Sequence, residues 1–145
     1  MDIVQVKVGE GFLATASARQ HEWFTDLPIR DGGEDSAPTP EELLLSAAGT
    51  CMAQTAKLYA NRKGWPLAGV DIELTLMRID PVDYPGCAGE SRFAHRISEK
   101  IMLRGDLSLE QHDRILEIMR KCPVRRVLMN PVVFEDQLFE TPIAE

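Results

Sequence analysis

The stretch Thr39-Pro40-Glu41-Glu42-Leu43-Leu44-Leu45-Ser46-Ala47-Ala48-Gly49-Thr50-Cys51-Met52-Ala53-Gln54-Thr55-Ala56-Lys57-Leu58-Tyr59-Ala60 decides the architecture. The Thr39 hydroxyl can cap a helix N-terminus. Pro40 suits the first helical position, where its missing N–H would have no partner, and Glu41 and Glu42 complement the positive end of the helix dipole. Asn61-Arg62-Lys63-Gly64 then supplies a basic last turn and a glycine stop. Between these signals the run is apolar almost all round until Gln54, which predicts a long, buried, central helix. Its small residues, Ser46, Ala47, Ala48 and Gly49, permit another backbone to come close, and a thiol, Cys51, sits in its middle.

Upstream, the turn formers and prolines from Asp31 to Pro40 read as a loop. Residues 2–8 alternate in polarity and predict a strand, not a leader peptide; residues 12–18 predict a second strand after the turn Gly9-Glu10-Gly11, and 21–27 a third extended stretch. Downstream, residues 70–79 alternate as a strand, residues 81–91 form a Pro/Gly loop that carries Cys87, and residues 94–103 form another strand closed by Gly105-Asp106. Ser108 with Gln111 three residues on is a capping box, opening a helix whose buried face is Ile115, Leu116, Ile118, Met119 and Cys122. Pro123 forces a break and restarts a short helix through Leu128, and residues 132–139 predict a last strand. Strands, long helix, strands, helix and strand in that order make one α+β domain over residues 1–145.

The net charge of -7 and pI of about 5.0 argue against nucleic acid or an anionic membrane as partner, since both require a positive footprint. No run of eighteen apolar residues predicts a membrane span. A cytoplasmic location is expected, in which the three cysteines are reduced and do not form a structural framework. There is no C-x-x-C or H-E-x-x-H, and His21, His95 and His112 lie far from one another and from the cysteines, so no metal site is expected.

On the helix pattern alone, Cys51 reads as a small core residue. Cys122 reads equally as structural or functional: just before a proline at a helix start it faces unpaired backbone N–H groups, with Arg125 and Arg126 in the next turn, a setting expected to lower a thiol pKa. Cys87 reads as an exposed loop residue. Glu41 reads as a helix-dipole residue or as a group orienting an arginine in a thiol pocket; Arg30 and Arg19, otherwise solvated surface residues, are the upstream candidates.

The run from Gly32 through Pro40-Glu41 to Cys51, with the cysteine ten positions after the glutamate, resembles the signature of the OsmC/Ohr family of thiol-dependent peroxidases. The run Arg120-Lys121-Cys122-Pro123-Val124-Arg125-Arg126-Val127-Leu128 is similar to the family's second motif, Cys-Pro before a short helix, and Tyr59 to Leu67 resembles its general OsmC-like branch. The resemblance covers about residue 30 to the end. It implies an intertwined homodimer with long central helices flanked by antiparallel sheets and active sites at the dimer interface. It further implies Cys51 as the peroxidatic and Cys122 as the resolving cysteine, Glu41 as the active-site glutamate, and Arg30, or else Arg19, as its arginine. No cofactor is implied.

The reaction so implied is attack of the Cys51 thiolate on a hydroperoxide to give a sulfenic acid, condensation with Cys122, and reduction of that disulfide by an outside dithiol. Leu44 and Met52 are expected to feed an apolar pocket that favours organic hydroperoxides. Two other readings compete: a binding or stress-associated domain of the same fold without turnover, and a thiol enzyme pairing Cys51 with a histidine.

Overall fold

The computed structural model describes residues 3–84 and 93–138 of the 145; Cys87 lies outside them. Three short strands, β1 (Gln5–Val8), β2 (Ala14–Ala18) and β3 (His21–Thr25), form an antiparallel sheet in that order. The long helix α1 (Pro40–Lys63) follows, then β4 (Leu67–Ile79), β5 (Ala94–Gly105), α2 (Leu109–Met119) and α3 (Pro123–Met129). Strands β4 and β5 pair as a long antiparallel ribbon, from Leu67 opposite Gly105 to Ile79 opposite Ala94. The architecture is α+β, as the order of sequence patterns predicts. Among the described residues no helix is long and apolar enough to cross a membrane.

The ends of α1 are set by local chemistry. Thr39 Oγ1 accepts the Glu42 N–H while the Glu42 carboxylate accepts the Thr39 N–H, closing a capping box ahead of Pro40. At the other end Gly64 takes a left-handed conformation, φ 67°, and donates its N–H to the last carbonyls. The core row Ala48, Met52, Ala56 and Ala60 lies on one face of α1 at a spacing of four residues. It meets Ile115 and Met119 of α2, Leu67 of β4 and Cys122. At Gly49 a Cβ atom would come within 2.7 Å of Leu74 Cδ1. What the small residue admits is therefore a side chain of β4 and not a backbone.

Two expectations are corrected. Helix α1 is not buried all round: Leu44, Ser46, Ala47, Thr50 and Leu58 are exposed, because β4, α2 and α3 cover only part of its circumference. Residues 131–138 form no strand. Among the described residues no neighbouring strand offers them a backbone ladder, and Val133 and Phe134 stand 84% and 85% exposed.

The loop from 27 to 38 is organised by one side chain that the sequence does not flag. Asp26 is buried, and its carboxylate accepts from the N–H groups of Leu27, Glu34 and Ser36 and from the Ser36 hydroxyl, at 2.8 to 3.2 Å. Its own N–H donates to the Pro38 carbonyl. These donors favour the anion, the Ser36 N–H most of all, and hold the carboxyl below its ordinary 3.8. A lowered folded-state pKa stabilises the fold in full above pH 3.8 and is lost as the pH falls through the lower folded value. Asp26→Ala should release the loop and lower the midpoint of thermal unfolding by on the order of 5 °C. It should also flatten the acid limb of the stability curve, which calorimetry between pH 3 and 7 will check.

Candidate functional site

Tertiary packing brings together two cysteines separated by 70 residues of chain. Cys51 is half-buried in the middle of α1, packed against the core. Cys122 is fully buried and is the N-cap of α3, preceded by the end of α2 and followed by Pro123 at the first helical position. Both are free thiols, and Cys51 packs against the core cluster that holds Cys122. The sulfur of Cys122 also accepts the Arg125 N–H at 3.3 Å, in the manner of a capping side chain.

The expectation of a lowered Cys122 pKa is corrected. Burial pushes the thiol above its ordinary 9.0; the Arg125 N–H works in the opposite direction, and the adjoining Cys51 raises it further. A helix N-terminus favours a thiolate, but here the sulfur has no contact with water, and loss of hydration dominates. The Arg125 guanidinium is also committed elsewhere, to Glu99 on β5: Nη1 lies 2.9 and 2.8 Å from the two carboxylate oxygens.

Glu99 is the residue that the sequence reading passed over. Along β5 the residues Ile97, Glu99, Ile101 and Leu103 form the row turned inward, while Ser98, Lys100 and Met102 are exposed. A carboxylate in an apolar row at period two is the signal that could have found it. Glu99 and Arg125 help line a cleft of about 340 Å³ between α1, β5 and α3, with Ala48, Met52, Leu128 and Met129 on its apolar side and His95 and Arg96 at β5. Met52 lines this cleft as expected, whereas Leu44 is exposed and stands away from it.

The other candidates do not join the thiols within one chain. Glu41 is exposed in the first turn of α1, and ten residues of helix separate it from Cys51 by about 15 Å along the axis. Arg30 is exposed in a short 3-10 turn and pairs with its neighbour Asp31 at 3.4 Å. Arg19 sits in the β2–β3 turn with a positive φ of 57°. Among the described residues no three His, Cys, Asp or Glu side chains gather as a metal site.

Residues 33–135 match the sequence model of the family described as OsmC-like protein. No curated protein matches the chain. Among solved structures, an OsmC-like protein from Mycoplasma pneumoniae superposes with a TM-score of 0.71 at 20% identity, covering 88% of this chain and 86% of that one. An organic hydroperoxide resistance protein from Legionella pneumophila gives 0.64 at 16% identity, with 89% of each chain covered. The organic hydroperoxide resistance protein OhrB of Bacillus subtilis gives 0.59 at 13%, over 89% of this chain and 90% of that one. At these identities the likeness is one of fold.

The burial of Cys122 makes a direct prediction. In the native protein it should react with iodoacetamide at least ~10-fold more slowly than in the denatured chain at pH 8, and its rate should go on climbing with pH without levelling off by pH 9. Peptide-resolved mass spectrometry across pH 7 to 10 reads this out.

Proposed function

The chain belongs to the OsmC-like protein family, and on that premise we propose that it is a thiol peroxidase that reduces organic hydroperoxides through Cys51 and Cys122. The observation that carries this reading is the packing of two free thiols together in one core cluster, one half-buried and the other sealed within it. The Cys51 thiolate attacks the distal peroxide oxygen and keeps its hydroxyl as a sulfenic acid; the O–O bond breaks, and the alkoxide takes up the proton released when the thiol ionised and leaves as the alcohol. The Cys122 sulfur then attacks the Cys51 sulfur. Its proton, retained because burial disfavours the thiolate, leaves with the sulfenic oxygen as water, and the Cys51–Cys122 disulfide forms. An outside dithiol returns both thiols by exchange. The apolar side of the cleft, Met52, Leu128 and Met129, suits an organic peroxide better than hydrogen peroxide.

Glu41 and Arg30, with Arg19 as the alternative, complete the site in this proposal. About 15 Å of helix prevents Glu41 from serving the Cys51 of its own chain. The proposal therefore includes a homodimer in which one protomer's Glu41 and arginine approach the thiol of its partner. The exposed apolar side of α1, with Leu44 and Leu58, and the exposed Val133 and Phe134 support such an interface, since large unpartnered apolar side chains favour association. A cytoplasmic setting, where thiols are kept reduced, belongs to the same reading.

One equivalent of cumene hydroperoxide should consume two thiols per chain, and a non-reducing peptide map should link Cys51 to Cys122. Cys51→Ser should abolish turnover, by more than ~10³-fold, while keeping the fold. Cys122→Ser should oxidise once and stall as a sulfenic acid that dimedone traps. If the thiols persist while a control peroxidase is oxidised, the cleft is a binding site and the peroxidase reading falls.

A further inference from the structure

Helix α3 is seven residues long, buries no side chain fully, and begins at a proline. A helix of that length has little stability of its own. Its position nevertheless decides where the Cys122 sulfur lies, because Cys122 is its N-cap and accepts the N–H of Arg125 in its first turn. The polar tether that holds this turn to the sheet is the contact of Arg125 with Glu99. Glu99 itself stands on the long β4–β5 ribbon, opposite Leu74. The pair is only 29% and 19% exposed at Arg125 and Glu99, and it occupies a place in the inward row where Ile97, Ile101 and Leu103 are its neighbours. An apolar pair of similar volume would stabilise such a place as well or better, so the ion pair is best understood through the geometry that it imposes.

We propose that Glu99 is a positioning residue for disulfide closure: through Arg125 it locks the first turn of α3, and thereby holds the Cys122 sulfur in line with the Cys51 sulfur. A disulfide forms only within a narrow window of Cβ separation and dihedral angle, and a displacement of about 1 Å costs on the order of 100-fold in rate. The role deepens the peroxidase reading and rests on it for its physiological oxidant, but the closure step can be observed without a peroxide. With diamide as oxidant, the Cys51 thiolate adds across the N=N bond. The Cys122 sulfur then displaces the hydrazine, which leaves with the two electrons and two protons that the thiols lose.

The test compares wild type, Glu99→Gln, Arg125→Gln and the double variant in rapid-mixing experiments. Oxidation of Cys51 by cumene hydroperoxide is followed by dimedone trapping, and closure by diamide is followed by peptide mapping. All three variants should slow closure ~10- to 100-fold to the same extent, the double variant no worse than either single one, because the two residues act as one unit. The rate at which diamide adds to Cys51, which does not depend on how a peroxide seats in the cleft, should stay within about twofold, with the Cys51 adduct accumulating. Glu99→Asp, which keeps the charge but shortens the reach, should fall between and provides the readout if Glu99→Gln does not fold. Closure at the wild-type rate, or loss of both steps together, overturns the proposal. If peroxide fails to oxidise the wild type while diamide closes the bond at a Glu99-dependent rate, the peroxidase reading falls and the positioning role stands.

Discussion

The row Ala48, Met52, Ala56 and Ala60 on one face of α1 sets how closely everything else can approach. Three of its four members are alanines, so α2 and the start of β4 pack near the helix backbone, and the single flexible side chain, Met52, fills the remaining space. Ile115 and Met119 enter this surface from α2, and the same close approach carries the end of α2 and Cys122 under the middle of α1. Contact between the two thiols is thus a consequence of core packing. The helix that buries the apolar row necessarily presents Cys51, one position before Met52, to whatever follows α2.

That packing explains the division between the cysteines. Cys51 keeps part of its surface at the edge of the core, whereas Cys122 is inside it. Desolvation outweighs the favourable N–H of Arg125 at Cys122, and the arginine that would otherwise help the thiolate is held by Glu99. In the proposed reaction, a thiol kept protonated by burial supplies the proton that departs with water. A positive charge already matched by a carboxylate does not disturb that state.

The N-terminal part follows a separate logic. Its three-stranded sheet is short, and the segment from 27 to 38 is shaped by the Asp26 carboxylate and four donors. The loop that carries Arg30 and leads to the capping box of α1 therefore depends on a single buried anion. Among the described residues, the outer face of α1 and residues 131–138 remain uncovered within one chain.

The amino-acid sequence by itself determined the elements whose causes are local. The capping box at Ser108 and Gln111, the Pro40 start and Gly64 stop of α1, the restart at Pro123 and the alternation of β4 and β5 all follow from interactions within a few residues. The α+β order and the two cysteine motifs were legible for the same reason. Only the tertiary structure decided which face of α1 is covered, that residues 131–138 lack a ladder, that Cys122 is raised and not lowered in pKa, and that Asp26 and Glu99 each find their partners. Burial and pairing depend on atoms distant in sequence. An inward glutamate on β5 and an arginine on α3 are 26 residues apart, and only the packing of both elements on α1 brings their charges within reach.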